Sequence, residues 1–281
     1  MIRDQRNWTI TPTGNSGSDL PKIIIQYKDL LNALVRRELT AGYQQTLIGT
    51  AWLLFQPLLS ALLYFFVFSR IVKVNTNGIP PFLFYMLGSI CWSFFSDIFS
   101  GSMYAFIHQA HILQKVYFPR VLIPIAQSIN HTIRFGLQLV FFLVPLFFWI
   151  STEAGHSGTL LLLLVPVCLL QIILLAMGTG MLVSIWMLRY RDLEFLVQFI
   201  LRLAMFATPI LYPLSIVPEH IQYYFWLNPL SAVFETLRVC FFGKGSIPIW
   251  PLIISFVITI LIFMAGVRVF THAEKKIIDF I

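Results

Sequence analysis

The residues able to do chemistry stand mostly where a soluble protein would keep leucine. Gln127, Asn130, His131, Arg134 and Gln138 recur at steps of three or four inside an otherwise apolar stretch, so they share one face of a helix. Glu194, Gln198 and Arg202 repeat the pattern later, and Asp97 stands among Ser89, Ser93, Ser96 and Ser100. Ionisable groups in such surroundings are expensive and face a cavity or a partner. The expected buried polar set is Asp97, Asn130, His131, Arg134, Gln198 and Arg202. Asp97 and Arg202 each fall about 10 Å from the inner end of their stretches at 1.5 Å per residue, so Asp97 is expected to offset a buried arginine, Arg202 by preference. A plain clamp between helices, with no contact to any ligand, is the competing reading.

None of these residues forms a catalytic set. The 6 histidines are scattered, and His108 with His111 lacks a carboxylate at metal-binding spacing. Gly243-Lys244-Gly245-Ser246 lacks the earlier glycine of a phosphate loop, so any ATP-driven work must come from another subunit. Cys91, Cys168 and Cys240 lie in apolar surroundings without CxxC spacing and read as packing residues.

The elements that position these groups are membrane helices. Of the 281 residues 58% are hydrophobic and only 11% charged, with a mean hydropathy of +0.82. A soluble domain carries about 25% charge, so the chain is an all-α polytopic membrane protein. Its basic pI near 9.5 fits loops facing anionic lipid, and no Lys/Arg run with interleaved aromatics suggests nucleic acid. Six spans are predicted, at about 47–69, 82–104, 121–150, 159–188, 195–213 and 249–271. Most of the 19 lysines and arginines then fall on one side, which places both termini in the cytoplasm.

Residues 1–28 are polar around Gly14-Asn15-Ser16-Gly17-Ser18 and read as a cytoplasmic tail. From residue 29 to 45, leucines alternate at helical spacing with Asp29, Arg36, Arg37 and Glu38, the pattern of an amphipathic helix on the membrane surface. No charge follows between Glu38 and Arg70. Two charged inner loops, His108 to Arg120 and Arg189 to Glu194, read either as topogenic turns or as docking segments. Residues 214–245 carry Pro218 and Pro229 among Tyr223, Tyr224, Phe225 and Trp226. Prolines cut helices short, so a pair of re-entrant helices turning near Asn228-Pro229 is expected, with an interfacial aromatic belt as the alternative. Trp52, Tyr64, Tyr85, Trp92, Tyr212, Tyr223, Tyr224 and Trp226 could line a passage on whose walls sugars stack, or anchor the chain at the interface.

The chain resembles the permease subunits of ABC-2 type exporters, especially those that move lipid-linked polysaccharides such as O-antigen, capsule or teichoic acid. The resemblance covers about Asp29 to Ile281. It is carried by Arg36-Arg37-Glu38 with Tyr43, the Leu47-Ile48-Gly49-Thr50-Ala51-Trp52 run with Gln56-Pro57, the Thr208-Pro209-Ile210-Leu211-Tyr212-Pro213 run, Val217-Pro218, Leu227-Asn228-Pro229-Leu230 and Arg238. It implies an N-terminal interface helix, six spans and two re-entrant helices before the sixth. It further implies a homodimer with a channel between the copies, and two copies of a separate ATPase that binds ATP and Mg. No cofactor or metal is implied in this chain. The ATPase-docking set implied is Arg36, Arg37, Glu38, His111, Gln114, Lys115, Tyr117 and Arg120. The family usually has a basic residue beside the tyrosine where this chain has Gln44-Gln45, which leaves Arg36 and Arg37 as candidates for a lipid-phosphate contact.

The function so implied is that of a channel-forming subunit for export of lipid-linked polysaccharide, O-antigen first, across a bacterial inner membrane. An ABC-2 exporter of another cargo (teichoic acid, drug or lipid) is the alternative. A lipid-sugar transferase would need converging carboxylates, and only Asp192 and Glu194 are close in sequence. A proton-coupled transporter, hinted at by Asp97 and His131, would work without an ATPase.

Overall fold

The computed structural model describes residues 20–41, 49–107, 118–152, 161–190 and 192–278, and among these the protein is helical with no strand. A short helix α1 (Leu20–Gln26) leads into α2 (Lys28–Ala41). Leu31 and Leu34 of α2 are buried against Ala126, while Arg36 and Arg37 on the opposite face are exposed. That division is what the leucine spacing dictates.

Helix α3 (Trp52–Tyr64) passes without a break into a π-helical segment, Phe65–Ile71, and the two make one rod of 20 residues. Helix α4 (Pro81–Met103) opens on a proline whose missing N–H costs nothing in a first turn. Next come α5 (Leu122–Thr152) and α6 (Val165–Arg189), the latter preceded by a 3-10 turn over Leu161–Leu164. Then follow α7 (Leu193–Ala207), α8 (Glu219–Leu227), α9 (Pro229–Phe242) and α10 (Ile249–Ile278). Helix α4 is the centre of the bundle: 78% of its most apolar window is buried, against 11% for α3. It packs on α3, α5 and α6, and α10 lies on the other side of α6.

Glycines bring these axes together. A Cβ on Gly180 would lie 2.6 Å from the Phe99 carbonyl oxygen of α4, and one on Gly266 of α10 would lie 2.5 Å from the Gly178 carbonyl oxygen of α6. Such backbone-to-backbone approach is available only to small residues, and it gives apolar helices their van der Waals attraction where lipid supplies no hydrophobic drive.

Among the described residues five helices are long and apolar enough to cross a membrane: Trp52–Ile71, Pro81–Met103, Leu122–Thr152, Leu161–Arg189 and Ile249–Glu274. The sixth predicted stretch, 195–213, differs. Its helix α7 has 15 residues, about 22 Å of rise, and stops at Ala207. Thr208 is extended because Pro209 follows it, and a proline disfavours the helical region in the residue before it.

Candidate functional site

Two polar constellations lie at opposite ends of the bundle, and a third group mends a backbone defect between them. At the end that carries α2, the helices α2, α4 and α5 line an open cleft of about 280 Å³. Glu38, Asp97, Ser100, Tyr104, Gln127 and His131 contribute its polar lining. His131 Nδ1 lies 4.0 Å from Asp97 Oδ2, too far for a hydrogen bond, and that nitrogen is buried without any other hydrogen-bond partner. Gly101 forms part of the wall, where a Cβ would stand 3.2 Å from Gln127 Cβ and 3.3 Å from His131 Nε2. Beside the cavity the Tyr104 hydroxyl donates to Glu194 Oε1 at 2.8 Å and accepts from Gln198 Nε2 at 3.5 Å. The polar face of α7 is thus tied to the end of α4.

This geometry corrects part of the expected buried set. The ionisable neighbours of Asp97 are His131 and Arg134, both on α5, rather than Arg202. Arg202 is exposed on α7, and Asp97 itself is half-exposed because it opens onto the cavity. Arg134 and Gln198 are partly buried, and Asn130 is fully enclosed with neither side-chain polar atom hydrogen-bonded. Arg120 is also buried: its guanidinium lies 6.0 Å from the Phe106 ring centre and its backbone N–H donates to Glu274 Oε1. That backbone bond ties the start of α5 to α10, and the guanidinium itself is buried. His111, Gln114, Lys115 and Tyr117 lie outside the described residues.

The second constellation is centred on Arg238 of α9, 3% exposed. Its guanidinium donates to Glu235 Oε1 at 2.8 Å, to the Ile210 carbonyl at 3.0 Å, to the Pro209 carbonyl, and at 3.5 Å to the Tyr212 carbonyl. The Phe84 ring of α4 lies beneath it at 4.1 Å. Glu235 in turn accepts the backbone N–H of Leu214 at 3.0 Å. Burial pulls the guanidinium below its ordinary range, and the carboxylate of Glu235 works against that pull. Residues 208–214 leave the helix because of Pro209 and Pro213, so their carbonyls need donors that the backbone cannot supply. One side chain supplies several of them. Asn228 closes the same region, accepting from Leu230 N as the cap of α9 and donating to the Thr208 hydroxyl at 2.9 Å.

The third group explains Gln138. Pro57 inside α3 has no N–H, so the carbonyl four residues earlier, Leu53, loses its intrahelical donor. Gln138 Nε2 of α5 donates to that carbonyl at 3.0 Å. Replacing Gln138 by leucine is expected to cost about 1–3 kcal/mol, since a buried acceptor is then left empty. Replacing Pro57 by alanine in the same chain restores the backbone bond and is expected to recover most of the loss. Unfolding of all four members of that double-mutant cycle in detergent checks the assignment, and additive effects would sink it.

The ABC-2 type transporter family profile matches residues 29–242, most of the chain. The chain belongs to the ABC-2 type transporter family. Curated relatives agree over nearly their whole length. The chain is 27% identical over 259 residues to an O-antigen export system permease protein, RfbA, of Myxococcus xanthus, covering 92% of this chain and 97% of that one. It is 26% identical over 249 residues to an RfbA permease of Klebsiella pneumoniae, covering 88% and 93%. Membership makes this chain a transport component, in keeping with its five membrane-capable helices.

Within this ABC-2 chain the eight expected wall aromatics separate into two groups. Trp52, Tyr223 and Tyr224 are exposed, and Tyr64, Tyr212 and Trp226 are partly buried. Tyr85 and Trp92 are packed inside the chain, Tyr85 edge-on to Phe84 at 5.3 Å and Trp92 against Phe95 at 5.5 Å. They are core residues because α4 is the buried centre, so neither can form a wall. The Arg238–Glu235 pair goes beyond the sequence expectation, in which Arg238 stood only among the residues that carry the family resemblance. Its signal was there: an acid and a base three apart on one helix, next to a proline-rich stretch short of donors.

Proposed function

We propose that this chain is the channel-forming permease of an ATP-driven exporter that moves lipid-linked polysaccharide, most specifically O-antigen, across a bacterial inner membrane. The single observation carrying this reading is the match to two O-antigen export permeases along 97% and 93% of their lengths. A partial match could reflect a shared module. One that runs end to end includes the elements that would meet cargo and motor.

In this reading both termini are cytoplasmic, and α1 leads into the transmembrane unit through α2. Helix α7 with its non-helical continuation to Pro213 makes a short sixth crossing, and α8 and α9 form a re-entrant pair in the outer leaflet. Two copies meet along α3 and α7, whose faces carry exposed Trp52, Leu59, Leu63, Phe195, Phe199 and Phe206. Trp52, Tyr64, Tyr212, Tyr223, Tyr224 and Trp226 are the remaining candidates for the channel wall. Each copy receives one ATPase, which binds ATP and Mg, against Arg36, Arg37 and Glu38 on α2 and against His111, Gln114, Lys115 and Tyr117. Force reaches the bundle because Leu31 and Leu34 seat α2 directly on α5.

Reversing both charges, Arg36→Glu with Arg37→Glu, is expected to lower ATPase co-purification at least tenfold while the permease still inserts. Inverted membrane vesicles supply the wider test. Export of lipid-linked polysaccharide must require both the ATPase and ATP, and transport persisting without the ATPase would overturn the reading.

A further inference from the structure

We infer that α10 is a lever: Phe270 and Glu274 at its inner end take up a push from the ATPase, and Ser255 delivers it to the turn between α8 and α9. The inference rests on the exporter reading and names positioning residues for it. Residues 108–117 lie outside the described residues, and the inference uses only what stands on either side of them.

Both sides meet on α10. Before the segment, Phe106 stacks on Phe270 with ring centres 4.3 Å apart and planes at 20°. After it, Arg120 returns to the same place. Its guanidinium lies 6.0 Å from the Phe106 ring centre, and its backbone N–H donates to Glu274 Oε1 at 2.9 Å. That N–H stands just ahead of α5, where backbone donors lack intrahelical acceptors and an acid suits the positive end of the helix. Phe106, Phe118 and Phe270 are all buried. A push on the residues between is thus handed to α10 at one point, rather than divided between α4 and α5.

The pivot lies one turn further along. Gly266 precedes Phe270 by four residues and lets α10 rest backbone on backbone against Gly178 of α6. Side-chain contacts yield by changing rotamer, and this one cannot. A tilt about the crossing keeps the contact, whereas a shift through it is blocked. At 1.5 Å per residue the arm from Gly266 to Glu274 is about 12 Å and the arm to Ser255 about 16 Å. Displacement at the inner end therefore arrives slightly enlarged, and reversed, at the outer one.

The outer arm carries a load. Ser255 Oγ donates at 2.6 Å to the carbonyl of Pro229, the first residue of α9. Gln171 of α6 donates to the Ser255 hydroxyl and, at 3.4 Å, to that of Thr259, and all three side chains are buried. Most of α9 is packed inside the bundle, but α8 buries no residue. A tilt that pulls on Pro229 moves the turn on which α8 hangs.

The test uses the permease–ATPase complex in proteoliposomes with lipid-linked polysaccharide extracted from its own cells, read as glycan exported per ATP hydrolysed. Glu274→Leu and Ser255→Ala are each expected to lower this ratio at least fivefold. Glu274→Gln, which keeps an acceptor for the Arg120 N–H, should stay within twofold of native. The two sites act in series, so the double variant Glu274→Leu, Ser255→Ala should fall no further than the worse single one. A merely structural role would leave the ratio unchanged in assembled protein, and two separate local roles would make the losses multiply. Either result overturns the lever. If Glu274→Leu fails to assemble, Phe270→Leu, which removes the ring stack and keeps an apolar side chain, takes its place in the same cycle. A native complex that exports nothing with ATP would overturn the exporter reading and the lever together, whereas native export with unaffected variants would sink the lever alone.

Discussion

Arg238→Ala is expected to give the largest loss of any single substitution in this chain. Removing the guanidinium leaves the partly buried Glu235 without its cation and takes the donor from the Pro209 and Ile210 carbonyls. Breaking a buried pair from one side costs about 3–5 kcal/mol, because the partner charge stays behind uncompensated. The damage should be local at first: residues 208–214 would detach from α9 and expose the end of α7. Arg238→Lys should rescue only in part, since an ammonium has three donors and no planar fork to match these acceptors. Thermal unfolding in detergent, together with protease accessibility around Leu211, measures both effects. The double variant Arg238→Ala, Glu235→Ala should be less damaged than the sum of its parts. An Arg238→Ala protein with native stability would show that the clamp is incidental.

The second large effect is expected at the crossing of α6 and α10. In Gly266→Ala the new Cβ would stand 2.5 Å from the Gly178 carbonyl oxygen and 3.0 Å from the Gly178 Cα. Both are backbone atoms, so no rotamer change can relieve the clash and the helices must part. Overpacking of this kind costs about 1–3 kcal/mol, and Gly266→Leu should exceed that range. Gly136 of α5 is the internal control, for a Cβ there meets nothing within 4 Å. Gly136→Ala should be neutral or stabilising by up to about 1 kcal/mol, as alanine is the better helix former. Melting temperatures of the three variants decide the point. Equal behaviour of Gly136→Ala and Gly266→Ala would refute the close-crossing account.

How much of this was legible beforehand varies by residue, for a physical reason. Leu31 and Leu34 went to the interior and Arg36 and Arg37 to the surface, as helical spacing requires. The break near Asn228-Pro229 was also legible, since a proline after a capping asparagine is a local signal. Asp97 was expected to offset one of two arginines, Arg202 by preference, and its charged neighbour is the other, Arg134. Depth along the membrane normal orders residues on one axis only, whereas choosing between Arg134 and Arg202 needs the azimuth of each helix around its neighbours. Tyr85 and Trp92 failed in the same way: their chemistry suits a wall, but α4 lies in the middle.

Composition, hydropathy and local spacing therefore determined the class of protein, the membrane helices apart from α7, and the amphipathic character of α2. These properties are sums over neighbouring residues and need no knowledge of which helix packs on which. The tertiary structure decided what depends on distant segments meeting. Gln138 completes a hydrogen bond that Pro57 forfeits 81 positions earlier, and Arg238 holds carbonyls from a strip near 210. The cavity draws its lining from three helices. Such partners are chosen by packing and by the need of every buried polar group for a mate, and neither constraint is written in any one stretch of the chain.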